Sequence, residues 1–205
     1  MIIYSTSASD TNDGGVGARA CIVEGLSPDL ADFQQELVLL NGTTPVVLAK
    51  SYSRIFRIRV MDTGDPLRNT GNVGDIHLAN LADTILFGHI TDSGRSPSQT
   101  QMALWTLPYG YTGYYANTSC STNNSKLTSV YVYSRPSLEA FPGVNPPFQN
   151  KAEIKSKDGI YDKDLTVWEQ VPGGTDIEVR GDTADQSGTD NVAAQFYVIY
   201  SKDTP

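Results

Sequence analysis

This 205-residue chain predicts an all-β fold, an antiparallel β-sandwich with jelly-roll-like connections as the expected subtype. Three observations carry that expectation. About twelve short segments alternate apolar and polar residues, with turn signals every 8–12 residues or so. No segment of helical length and helical period intervenes. Eighteen Gly and eleven Pro are dispersed along the chain, as many short strands with tight turns require.

Residues 1–16, running into SASDTNDGGVG, read as a flexible lead-in, and 17–205 as a single sandwich domain. A first strand spans about Ala18–Glu24, followed by a loop with a turn at Ser27-Pro28-Asp29. Glu36–Leu40 and Pro45–Ala49 flank Asn41-Gly42, a two-residue hairpin signal. The strand that starts near Tyr52 places Phe56, Ile58 and Val60 on a dry face and Ser53, Arg57 and Arg59 on a wet one, with Ile55 the apolar exception. Residues 62–74 form a Gly-, Pro- and Asn-rich loop, the one place where two lobes would part. Short strands follow at Asp75–Leu78 and Thr84–Ile90. Gln99–Leu107 reads as buried on both faces, and Pro108–Gly113 as a turn leading to Tyr114 and Tyr115. Ser119–Ser125 reads as an exposed polar loop. Leu127–Arg135 is a strand, 136–148 a proline-rich connection, and Lys151–Lys157 an edge strand. Asp164–Val171 and Asp176–Arg180 are joined by Pro172-Gly173-Gly174. After a polar loop over 181–190, Val192, Ala194, Phe196, Val198 and Tyr200 form the core face of the last strand.

Composition excludes several classes. The net charge is −8, with 7 basic and 11 acidic residues in 1–100 and 8 and 12 in 101–205, so no basic patch is available to neutralise phosphates and no nucleic-acid partner is expected. No run of about 18 apolar residues exists to span a membrane, and no charged start precedes an apolar secretory core. Two cysteines, Cys21 and Cys120, are too few for a disulfide framework; a bridge between them stays open, and a buried thiol is the expectation for Cys21. The sequons at Asn41, Asn117 and Asn123 are what chance supplies in a Ser/Thr/Asn-rich chain.

No catalytic or metal motif stands out, and no cofactor is expected. His77 and His89 are the only histidines, and their spacing fits no metal signature, which favours structural roles. No G-x-S-x-G elbow marks a nucleophile. Asp10-Thr-Asn-Asp13 lacks the later ligands of a calcium loop, and Asp182, Asp185 and Asp190 read as a solvated loop. No pair of carboxylates singles itself out for glycoside cleavage. The aromatic group Trp105, Tyr109, Tyr111, Tyr114 and Tyr115 is a candidate for an interface or for glycan binding, set against a plain role as core and cap of the sandwich.

Beyond these residues, the stretches GVGARACIVEGL, ELVLLNGTTPVVLAKSYSRIFRIRVMDTG and GNVGDI, from Gly15 onward, resemble a family of tailed-phage (cyanophage-like) virion structural proteins. Its glycine-led strand, LNG-T hairpin, aromatic-plus-Arg strand and N-x-GDI strand correspond to Gly17–Leu26, Leu40–Thr43, Tyr52–Val60 and Asn72–Ile76. Gln99–Pro108 with Gly110–Tyr114, Tyr131–Pro136, Gly174–Val179 and Ala193–Tyr200 continue the resemblance, over roughly 14–200 in all. These motifs bear the fold and not a chemistry. The resemblance implies a virion location, no enzymatic activity, and homo-oligomers or contacts with major capsid or tail subunits. A capsid-associated decoration or vertex protein acting through subunit interfaces comes first, a tail or fibre component second. A lectin-like module binding host glycan through the aromatic group is the reading from a different class.

Overall fold

The computed structural model describes residues 1–65, 71–92, 98–100, 102–122, 128–136, 146–156, 159–183 and 192–203. These residues hold fourteen strands and no helix, and the class is the all-β sandwich that the sequence predicts. The strand orders do not establish a jelly roll. The chain divides into two compact units, Met1–Met102 and Ala103–Pro205, where one body over 17–205 is expected from length.

The first unit comprises β1 (Ile2–Ser5), β2 (Ala18–Leu26), β3 (Phe33–Leu39), β4 (Val46–Val47), β5 (Arg54–Thr63), β6 (Ile76–Ala79) and β7 (Leu86–Ile90). A four-stranded antiparallel sheet runs β4-β1-β6-β7 and a three-stranded one β3-β2-β5. Ile3, Ile76, Leu78 and Ile90 from the first sheet meet Cys21, Val23, Ile55 and Ile58 from the second in one core. Side chains of this size, fully buried, contribute roughly 2 kcal/mol each, so this layer is the main drive for the unit. On the opposite face of β2 and β5, Glu24 bridges Arg57 (2.6 Å) and Arg59 (3.1 Å), so one carboxylate is shared by two arginines across the sheet.

Two expectations for this unit are corrected. The lead-in is a working part of the fold: Ile3 is fully buried, and β1 pairs with both β4 and β6. Its short apolar run, Ile2-Ile3, is completed only by partners more than forty residues away, which local patterning does not reveal. The Asn41-Gly42 turn is also not a hairpin, since β3 pairs with β2 and β4 with β1. Gly42 does take the left-handed conformation (φ 59°) that favours glycine. Its N–H, however, donates to the Asp10 carbonyl (2.8 Å) and its carbonyl accepts from Ser5 N–H (2.9 Å), so the turn hands the chain from one sheet to the other.

Asp10 explains that capture. It is completely buried, and its carboxylate accepts four hydrogen bonds: Ala18 N (2.7 Å) and Val73 N (2.9 Å) on Oδ1, Gly74 N (2.8 Å) and Ser5 Oγ (2.6 Å) on Oδ2. Gly17 is required beside it, because a Cβ there would stand 2.0 Å from Asp10 Oδ1. Asp10 therefore serves its own chain and is not available to a calcium ion. The neighbouring Cys21 is a buried free thiol whose pKa is pushed up to about 12 by burial, with the Asp10 charge adding to the effect.

The second unit comprises β8 (Leu104–Thr106), β9 (Tyr111–Thr122), β10 (Thr128–Arg135), β11 (Gln149–Ser156), β12 (Gly159–Pro172), β13 (Asp176–Thr183) and β14 (Val192–Lys202). Its sheets run β11-β10-β13-β8 and β12-β9-β14. Tyr115, Val132, Ala152, Val171 and Ile177 pack with Phe196 and Val198, and Cys120, Val130 and Ile154 continue the core. Ser119 and Cys120, expected in an exposed loop, are buried in β9, the central strand of its sheet; alternation about Cys120 is hidden by the polar residues on both sides. Cys120 is a free thiol too. Asp176, 2% exposed, accepts from Thr106 Oγ1 (2.6 Å) and from Arg135 Nε (2.9 Å), and the Arg135 guanidinium lies 4.6 Å from the Phe148 ring centre. The Asn123 sequon, Asp185, Asp190 and most of the proline-rich connection lie outside the described residues.

Replacing Asp10 with Ala leaves two buried backbone N–H groups and one part-buried one without their acceptor, and a buried group so orphaned costs on the order of 1–3 kcal/mol. We expect Asp10→Ala to destabilise the first unit by about 3 kcal/mol or more. Chemical denaturation with hydrogen exchange at Ala18, Val73 and Gly74 checks this: unchanged protection at those amides would refute the role given to Asp10.

Candidate functional site

Period-two alternation builds the most concentrated polar chemistry on the first unit. Along β1, β6 and β7 it turns Ile3, Ile76, Leu78 and Ile90 inward and leaves Tyr4, His77 and His89 on the other face. The register sets Tyr4 opposite His77 and His77 opposite His89. Asp75, two residues before His77, shares their face. Its backbone is fixed by Thr6, which accepts the Asp75 N–H on Oγ1 (2.9 Å) and donates its own N–H to the Asp75 carbonyl (2.9 Å). Asp92 N–H occupies Asp75 Oδ1 (2.7 Å) and leaves Oδ2 3.3 Å from His89 Nε2. That pair is within ion-pair distance. The two imidazoles meet edge to face, with centres 4.9 Å apart.

The row continues on the other side. Tyr4 Oη lies 3.0 and 3.1 Å from the Asp83 carboxylate oxygens and 3.1 Å from His77 Nδ1. A phenol has one proton and a carboxylate has none to give, so Tyr4 donates to Asp83 and accepts from His77 Nδ1–H. His77 is thereby held in the tautomer whose Nε2 carries the free lone pair. Burial, and then the neighbouring His89, hold the His77 pKa below its ordinary 6.5, against the opposing pull of Asp75 and Asp83. Asp75 is held below the usual carboxylate range, chiefly by the Asp92 N–H and further by His89. Tyr4 is raised by burial and by Asp83. The ligating atoms of Asp75, His77 and His89 all lie within 4.8 Å of one another. Twelve positions separate the two histidines along the chain, and only the β6–β7 pairing makes them neighbours.

The aromatic group of the second unit does not gather in one place. Trp105 on β8 and Tyr111 at the start of β9 converge on Tyr200 of β14, at ring distances of 6.2 and 5.8 Å. Tyr115 points the opposite way from Tyr114 and is buried in the core. Tyr114 is exposed and sits opposite Ile199, half of which is also exposed. Tyr109 lies in the turn between β8 and β9. Tyr200, which completes the cluster, shares a strand face with Val198 as alternation predicts, but it is 41% exposed and not part of the core expected for it.

A third feature is apolar. Phe33, Leu37 and Leu39 project from β3 with 42, 60 and 52% of their surface exposed, while Val38 between them is buried. Pairing places Leu37 opposite Ile22 and Leu39 opposite Ala20 on β2, both of them buried, so the exposed apolar surface belongs to β3. Its remaining outward position on β3, Gln35, is uncharged.

The unfolded chain binds more protons at His77 than the folded one once pH drops below about 6.5. The stability that the neutral imidazole contributes is complete above that pH and is lost as pH falls through its lowered folded pKa. We expect the melting temperature of the first unit to fall as pH drops below about 6.5, with a shallower slope in His77→Gln. An equal slope in both proteins, measured by calorimetry, would assign the loss to other groups.

No family model, no curated protein and no solved structure matches this chain.

Proposed function

We propose that this chain is a structural subunit of a viral particle that works by burying strand faces against neighbouring subunits, without turnover. The observation that carries the reading is the outward apolar face of β3, with Phe33, Leu37 and Leu39 exposed. Large apolar side chains clustered on a strand face are what a subunit contact uses. The occupant we assign is a second copy of the chain. Copies that each carry a charge of −8 repel, and a contact between them is favoured where the surface is uncharged, as the outward positions Phe33, Gln35, Leu37 and Leu39 are. A two-fold contact would bring this face onto itself. The resemblance to tailed-phage virion proteins supports a position on the capsid, as a decoration or vertex protein, ahead of one in the tail or a fibre. Coat or tail subunits are then the further partners.

A second reading is favoured by one observation: Trp105, Tyr111 and Tyr200 form an aromatic cluster of the kind on which a sugar ring stacks. A host glycan bound there would change tryptophan fluorescence, and Tyr200→Ala would abolish the change.

Sedimentation velocity tests the main reading. We expect the wild-type chain to self-associate and the Leu37→Glu/Leu39→Glu protein, still folded by circular dichroism, to sediment as a monomer. Because both side chains project outward, the double substitution removes contact surface and leaves the core intact. Cryo-electron microscopy of purified particles supplies the location, with density on the shell expected. A wild-type chain that stays monomeric and is missing from particles would sink the proposal.

A further inference from the structure

We propose that Asp75, His77 and His89 bind one divalent transition-metal ion of the zinc type, as three protein ligands with a fourth position open to solvent. The first support is the donor set. Two imidazoles and one carboxylate suit zinc and its neighbours, whereas calcium and magnesium take oxygen donors. The second is spacing. Bonds of about 2.0–2.1 Å in a tetrahedron put ligand atoms about 3.3–3.4 Å apart. His89 Nε2 and Asp75 Oδ2 already stand 3.3 Å apart, and all three ligating atoms lie within 4.8 Å, a spread that side-chain rotation closes.

The third support is what surrounds the ligands. A metal-bound histidine characteristically donates its other N–H to a carboxylate, carbonyl or hydroxyl that fixes the ring. His77 has such a partner in Tyr4, itself anchored on Asp83, and the tautomer this imposes directs the Nε2 lone pair away from Tyr4. Asp92 N–H takes one oxygen of Asp75 and leaves the other beside His89. His89 Nε2 faces that oxygen at 3.3 Å, and an ion would take the place of the proton between them. About a third of each of the His89 and Asp75 side chains is exposed, enough for an ion to enter and for water or an outside donor to complete the coordination. Because the ligands come from β6, β7 and the residue preceding β6, the ion would clip two strands of the sheet together.

The test uses the full chain, zinc chloride, and the fact that the protein has only two histidines. Imidazole nitrogen NMR then reads both rings without any substitution. We expect both Nε2 signals to move together and to saturate at one equivalent of zinc, with calcium chloride moving neither. Asp75→Asn and His77→Gln should each abolish one-to-one binding in calorimetry while circular dichroism stays that of the wild type. Tyr4→Phe, which removes only the supporting hydroxyl, should weaken binding about tenfold. Movement of one ring alone, no saturation at one equivalent, or one-to-one binding that survives in the Asp75→Asn/His77→Gln protein would each overturn the proposal.

Discussion

The first unit depends on the satisfaction of one buried carboxylate. A buried charge is costly unless every lone pair finds a donor, and Asp10 finds four. Those donors come from the end of β1, the start of β2 and the segment leading to β6, which are far apart in the chain. With Gly42 N–H on its carbonyl, the same residue also fixes where the chain crosses between sheets. The hydrophobic layer supplies the larger share of stabilisation, but an apolar layer tolerates sliding. The Asp10 bonds have direction, so they determine the register in which Ile3, Ile76 and Leu78 meet the other sheet. Asp176 has a comparable place in the second unit, where Thr106 and Arg135 hold it from two further strands.

The outward surface of the first unit divides its labour by strand. On the four-stranded sheet it carries linked polar groups from Asp83 through Tyr4, His77 and His89 to Asp75. On the three-stranded sheet the β3 side is apolar, while Glu24 consumes the two arginines beside it. One surface offers lone pairs with fixed directions and the other offers area without charge. The two call for different kinds of partner, an ion and a protein face, and neither requires a catalytic step.

Much of the architecture is legible in the residues. The opposition of Ile58 and Val60 to Arg57 and Arg59 on β5 and the inward set Ala194, Phe196 and Val198 of β14 follow from alternation alone, whereas Ile55, expected on the wet side, joins the core beyond a register shift beside Glu24, and Tyr200, expected inward, is exposed. What alternation cannot convey is pairing between distant segments. Asn41-Gly42 carries the chemistry of a hairpin turn, but long-range bonds to Asp10 and Ser5 decide which strands it joins. Ile2-Ile3 is too short to announce a strand. The His77–His89 adjacency is invisible for the same reason, since the signal lies in the register of β6 on β7 and not in the spacing. Tyr114 and Tyr115, neighbours in sequence, part to opposite faces of β9, which is why the aromatic group does not stay together.

The place of β1 has a consequence for how the protein is made. As the second strand of β4-β1-β6-β7 it leaves the ribosome before its partners, and Ile3 waits for Val46 and then Leu78. Asp10 likewise waits for Val73 and Gly74. Sheets whose pairings span such distances in sequence form slowly, because loop closure must precede the contacts that reward it. Until β4 and then β6 have been synthesised, an apolar strand with an unpaired edge remains open to foreign pairing. Synthesis rate and chaperone access during that window are therefore as much a part of obtaining this fold as the contacts that finally hold it.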